Sequence, residues 1–172
     1  MEWDQYFMGI AKLAAQQSKC RSRKVGAVLV RDKSIVSTGY NGPPRGMRPC
    51  DERWIEDGLY AEYLPPTEFE NYLSQGACPR QRLGFRSGEG LDLCVAAHAE
   101  RNALLQAAKL GVASQGATLY AWCGQVCKDC AIEIVNAGVT ELVILDGQPA
   151  YDDLAELILN ECGVVVRKIA SL

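Results

Sequence analysis

The sequence predicts a three-layer α/β fold, a mixed β-sheet covered by helices on both faces, and three features carry that expectation. Beyond residue 97, helical and β periodicities alternate through three helical runs and three β-runs. Each helical run is followed by a glycine (Gly111, Gly138 or Gly163), placed where a helix C-terminus takes a left-handed residue. Near the start of the chain, two more β-runs flank a short charged tripeptide, the pattern of a hairpin. Strands that alternate with helices bury their faces under them, which gives layers.

Taken in order, residues 3–17 form an amphipathic helix, because Trp3, Phe7, Ile10 and Leu13 or Ala14 recur on one face. Residues 24–30 and 34–40 are β-runs joined by Arg31-Asp32-Lys33. Residues 41–91 are dense in turn signals, among them Gly42-Pro43-Pro44, Pro65-Pro66 and Gly88-Glu89-Gly90. One short helix is expected inside that stretch, where Thr67 and Glu70 match a capping box. After it come helices at 98–110, 128–137 and 152–161, with strands at 117–122, 141–145 and 164–168. No repeat or linker divides the chain, so residues 1–172 are expected as one domain with a long irregular insertion at about 43–93.

A chain of 172 residues buries an ordinary core without covalent staples. Its net charge of −3 gives no electrostatic footprint for long nucleic acid, although a few local arginines suffice for a small phosphorylated ligand. Glu2 and Asp4 stand where a secretory signal places positive charge, and no apolar run is long enough for a membrane span. The expectation is a cytoplasmic protein with neither a membrane nor a long nucleic acid as partner. Eight cysteines are many for such a chain, and in a reducing compartment clustered cysteines serve as metal ligands or catalytic groups.

The decisive pattern is His98-Ala99-Glu100 followed downstream by Cys127-Lys128-Asp129-Cys130. Two thiolates spaced Cys-x-x-Cys at the start of a helix reach one metal, and the helix N-terminus favours their negative charge. With His98 the protein supplies three ligands and leaves the fourth tetrahedral position open to water, the arrangement of a catalytic zinc. Glu100, two residues from a ligand, is placed to take a proton from that water and return it to a ring nitrogen and a leaving amine. Either half alone says little, since an isolated Cys-x-x-Cys also serves as a redox dithiol. Their pairing at the starts of two helices separated by one β-run is far more specific.

On these residues the chain resembles the deoxycytidylate deaminase family, within the wider cytidine deaminase-like group. The resemblance runs through residues 24–28 (Lys-Val-Gly-Ala-Val), residues 38–42 (Thr-Gly-Tyr-Asn-Gly), residues 98–104, residues 116–120 (Gly-Ala-Thr-Leu-Tyr) and residues 127–130, in the family's order and approximate spacing. It implies a five-stranded mixed sheet, and hydrolytic deamination of dCMP at C4 to dUMP and ammonia. It assigns zinc to His98, Cys127 and Cys130, proton transfer to Glu100, and nucleotide contacts to Asn41 and Ala99. A turn asparagine beside Gly42 is the plain alternative for Asn41. Two departures concern the loop before Cys127: Val126 stands where the family usually has proline, and one extra residue lies between Tyr120 and Cys127. Trp122 and Cys123 in that loop are expected to reshape the substrate pocket.

The resemblance also suggests a second, structural zinc held by Cys20, Cys50, Cys78 and Cys94, which would tie the irregular stretch; packed, unrelated thiols are the alternative. Lys24 and Arg45 are candidates for the phosphate, against simple solvation, and Tyr151 for stacking on the substrate, against a plain exposed tyrosine at a helix start. In regulated relatives the loop matching Asn41-Gly42-Pro43-Pro44-Arg45-Gly46 binds a deoxynucleoside triphosphate with Mg2+, which makes dCTP and dTTP candidate effectors and a homo-oligomer, a hexamer, the candidate assembly. Competing functions keep the zinc chemistry on dCTP, cytidine, a modified cytosine or a purine, or make the chain a noncatalytic zinc-binding relative in DNA uptake or assembly. Intact Glu100 weighs against the noncatalytic alternative.

Overall fold

The hairpin supplies the first two strands of the chain and sets the sheet. Strands β1 (Gly26–Arg31) and β2 (Ser34–Tyr40) pair antiparallel, with Arg31 opposite Ser34. Asp32 and Lys33 between them take φ of 51° and 58°, the conformation of a two-residue turn whose twist matches the flanking strands. The turn is therefore one residue tighter than the expected tripeptide. The computed structural model describes residues 2–50, 52, 78–86, 88–147 and 152–171.

Three further strands, β3 (Thr118–Ala121), β4 (Glu141–Leu145) and β5 (Val165–Ile169), complete a five-stranded sheet of order β2-β1-β3-β4-β5. β3 runs antiparallel to β1, whereas β3–β4 and β4–β5 are parallel, so the sheet is mixed. The parallel pairs are joined through helices, as a parallel connection requires. Helix α1 (Trp3–Ala15) precedes the hairpin; α2 (Ala99–Leu110), α3 (Lys128–Asn136) and α4 (Asp153–Glu161) follow it. Gly111, Gly138 and Gly163 all take the left-handed conformation expected at the helix ends.

Strand alternation separates the two layers. Ala27, Leu29, Leu119, Ala121, Leu142 and Ile144 face a core shared with α2, α3 and α4. Val28, Val30, Tyr120, Val143 and Leu145 face the other way, onto Phe7, Met8 and Ala11 of α1. Burying an aliphatic side chain such as Leu119 or Ile134 stabilises by about 1.5–3 kcal/mol relative to exposure. The helices also press directly on the hairpin. A Cβ on Gly26 would lie 2.0 Å from the Ala11 carbonyl oxygen of α1, and one on Gly39 would lie 2.1 Å from the Ala99 carbonyl oxygen of α2. Small residues on both sides of these contacts let backbone meet backbone and bring the start of α2 hard against β2.

Polar ties fix the layers. Arg167 of β5 pairs with Asp4 of α1 and donates from Nε to Glu141 Oε1 of β4 at 2.6 Å, while the Tyr120 hydroxyl donates to Asp4 Oδ1 at 2.8 Å. The guanidinium holds both carboxyls below their ordinary range, and burial, then Asp4, pushes the Tyr120 phenol up to about 12. This network joins the first helix to the last strand.

By its internal contacts the chain forms two units. Everything above belongs to the first, Met1–Ser18, Val25–Asn41 and His98–Leu172. The second comprises Lys19–Lys24 and Gly42–Ala97, and includes a helical turn at Pro79–Arg82, a 3-10 turn at Leu91–Leu93 and an isolated bridge between Gly42 and Ala97. The expected capping box at Thr67 and Glu70 lies outside the described residues. No helix among the described residues is long and apolar enough to cross a membrane.

Candidate active site

Two helix starts build the site. His98 is the N-cap of α2, Cys127 is the N-cap of α3, and Cys130 lies in the first turn of α3. The positive ends of both helices are thus presented to side chains that carry, or readily take, negative charge. The helices are held together by Arg101 and Glu133, whose charge-assisted bonds measure 2.7 Å and 3.0 Å from Nε.

His98 Nδ1 lies 3.3 Å from the Sγ atoms of both Cys127 and Cys130. All three potential ligand atoms fall within 4.8 Å of one another, and among the described residues this is the only group of three or more such side chains. A tetrahedral zinc with ordinary bond lengths sets N···S separations of about 3.6 Å, so the donor set fits that metal with a few tenths of an ångström of adjustment. The protonation balance points the same way. A hydrogen bond from Cys130, reinforced by His98, lowers the Cys127 thiol, whereas that same bond and burial push Cys130 up; the contact with Cys127 raises His98. Two thiols this close cannot both ionise unaided, and a divalent cation among them removes the conflict.

Glu100 is the second residue of α2 and is only 4% exposed. Burial is the main cause that raises its carboxyl above the ordinary glutamate range. A carboxylic acid shifted in that direction exchanges its proton closer to neutral pH, which suits acid–base work. The Cys123 thiol donates to its Oε1 at 3.8 Å.

The loop before Cys127 differs from the expectation. Alternation along β3 continues past its end, so Trp122 packs with the α1-side core, with Lys12 Nζ 4.8 Å from its ring centroid. Of the pair Trp122 and Cys123, only Cys123 turns to the layer that holds the triad. Val126, where the family usually has proline, is buried in that core. Gln125 forms a reciprocal amide pair with the backbone of Asp152, at 2.8 Å and 3.1 Å. Asp152 in turn accepts from the Lys128 amide at 2.6 Å and the Ala155 amide at 3.3 Å, so one carboxylate caps both α3 and α4. The sequence reading passed over this double cap, although Asp152-Asp153 ahead of an apolar run is a capping signal.

The other expected contacts are placed as follows. Asn41 is buried; its Oδ1 accepts from the Val25 amide at 2.8 Å and its carbonyl from the Ser18 hydroxyl at 2.8 Å, so it also clamps the two ends of the hairpin. Ala99 is fully buried at the start of α2. Lys24 and Arg45 are exposed and belong to the second unit. Tyr151 lies outside the described residues. Cys20, Cys50, Cys78 and Cys94 all belong to the second unit and are not gathered into a group of three with ligand atoms within 4.8 Å.

Comparison with known proteins agrees with this geometry. The chain is 37% identical over 166 residues to the deoxycytidylate deaminase of Schizosaccharomyces pombe, covering 96% of this chain and 44% of that protein. It therefore spans less than half of that relative's length. It is 36% identical over 147 residues to the deoxycytidylate deaminase of Mycobacterium phage D29, covering 83% of this chain and 93% of that one. The crystal structure of the dCMP deaminase from cyanophage S-TIM5 in complex with dCMP and dUMP superposes with a TM-score of 0.66 at 26% identity, over 96% of this chain and 95% of that one. Fold and donor set together define a zinc-binding domain of the cytidine deaminase-like fold. The chain belongs to the cytidine and deoxycytidylate deaminase zinc-binding family, whose model matches residues 1–146.

Proposed function

We propose that the chain catalyses the hydrolytic deamination of dCMP to dUMP and ammonia. The observation that carries this is the buried carboxyl of Glu100 in the first turn of the helix that His98 caps, with Cys127 and Cys130 completing a three-ligand set. His98 Nδ1 and the two sulfurs would hold zinc, which supplies the Lewis acidity that lets water lose a proton near neutral pH. Glu100 takes that proton and delivers it to N3 of the cytosine ring, then carries the proton of the new C4 hydroxyl to the departing amine. The water oxygen bonds to C4, the bond from C4 to the amine breaks, and ammonia leaves. Asn41, Ala99 and Tyr151 are proposed to contact the nucleotide, with Lys24 and Arg45 as its phosphate partners.

The same proposal treats the chain as one deaminase domain with an insertion at about 43–93, held by a second zinc on Cys20, Cys50, Cys78 and Cys94. What supports the second zinc is that all four thiols fall in one unit of the chain, which has little regular structure among its described residues. A homo-oligomer, a hexamer by likeness to the family, and control by dCTP and dTTP with Mg2+ at residues 41–46 complete the proposal, together with a cytoplasmic location.

The test is ammonia release from zinc-loaded protein across dCMP, dCTP, deoxycytidine, cytidine and CMP. The expected result is a preference for dCMP, with Arg45→Ala raising KM for dCMP about tenfold while KM for deoxycytidine barely moves. A preference for another substrate would overturn the dCMP assignment, and equal losses on nucleotide and nucleoside would remove Arg45 from phosphate recognition.

A further inference from the structure

We propose that Cys123 is a positioning residue for Glu100: its thiol holds one carboxylate oxygen and leaves the other turned to the proton transfers. This rests on the deaminase assignment made above. Four observations support it. The Sγ of Cys123 donates to Glu100 Oε1 at 3.8 Å, at the long end of the range for sulfur. Both residues are deeply buried, at 8% and 4% exposure, so the contact is shielded from competing water. Cys123 is not one of the three residues, His98, Cys127 and Cys130, whose ligand atoms gather into one group. Finally, its backbone is tied on both sides: its amide donates to the Ala121 carbonyl and its carbonyl accepts from the Leu145 amide, each at 2.8 Å.

The bond from the Leu145 amide ties the chain to β4 two residues beyond the end of β3. The thiol is thereby carried on the rigid sheet, while Glu100 is carried on α2. The weak thiol contact then acts together with the Glu100 backbone amide to fix the carboxylate's rotation relative to the sheet. A carboxylate free to rotate in a buried pocket would lose part of its time to unproductive orientations, and holding the geometry is what a supporting contact contributes to turnover. Cys123 packs in the same core as Leu119 and Ala121.

Two measurements test this. In the first, Cys123→Ala is expected to lower kcat for dCMP about tenfold with KM within twofold of wild type and zinc content unchanged, and Cys123→Ser, which restores a donor, is expected to recover at least half of the lost kcat. A kcat for Cys123→Ala within twofold of wild type would overturn the proposal, as would a Cys123→Ser variant that loses as much as the alanine variant. In the second, the infrared S–H stretch of Cys123, isolated by subtracting the Cys123→Ala spectrum, is expected at lower frequency in wild type than in Glu100→Ala. An unchanged band means the thiol does not bond to Glu100 and overturns the proposal. The infrared measurement requires neither turnover nor metal and uses folded wild-type protein, so it separates failure of this inference from failure of the deaminase assignment.

Discussion

Glu100→Gln is expected to lower turnover of dCMP by about three orders of magnitude while zinc content stays at the wild-type level. The amide fills the same buried space and still accepts the contact from Cys123, so the pocket keeps its shape. What it loses is the ability to take and return a proton. The burial that raises the Glu100 carboxyl also excludes bulk water, which leaves no ready substitute for the lost base. Steady-state kinetics with metal analysis on the same preparation check the outcome. Retention of a tenth or more of wild-type kcat would show that another group moves the proton.

Cys130→Ala should be as damaging by a different route. Cys130 is fully buried in the first turn of α3 and supplies one of three donors. Its removal leaves His98 and Cys127, too few to retain zinc against dialysis. The expected result is loss of one zinc per chain, from two to one if the second-unit cysteines hold their own metal, with turnover of dCMP abolished. Lower thermal stability should accompany it, since a metal that binds only the folded state stabilises that state by mass action. Metal analysis after dialysis reads the result. Full zinc retention in the variant would mean that the metal sits elsewhere.

Much of the frame was legible because it rests on local rules. Period-2 and period-3.6 patterns located every helix and strand of the first unit to within about two residues, and the glycines at 111, 138 and 163 closed the helices where a left-handed residue was needed. The triad was legible because its members occur in two short motifs, His98-x-Glu100 and Cys127-x-x-Cys130, each at a helix start. Contacts between residues far apart in sequence were not. Arg167 meets Asp4, and Asp152 caps a helix that begins at Lys128; neither pairing has a signature in the one-dimensional pattern. Cys123 is the instructive case. The sequence reading sent both Trp122 and Cys123 to the substrate pocket; in the structure only Cys123 packs on the triad's side, and its partner Glu100 is supplied by a different element.

The most direct test of the account is to incubate zinc-loaded protein with dCMP in 18O-labelled water and analyse the products by mass spectrometry. Hydrolysis through the His98–Cys127–Cys130 site with Glu100 predicts dUMP carrying one 18O at C4, with one ammonia released per dUMP formed. No dUMP from folded, zinc-bound protein, or dUMP without the label, would contradict it.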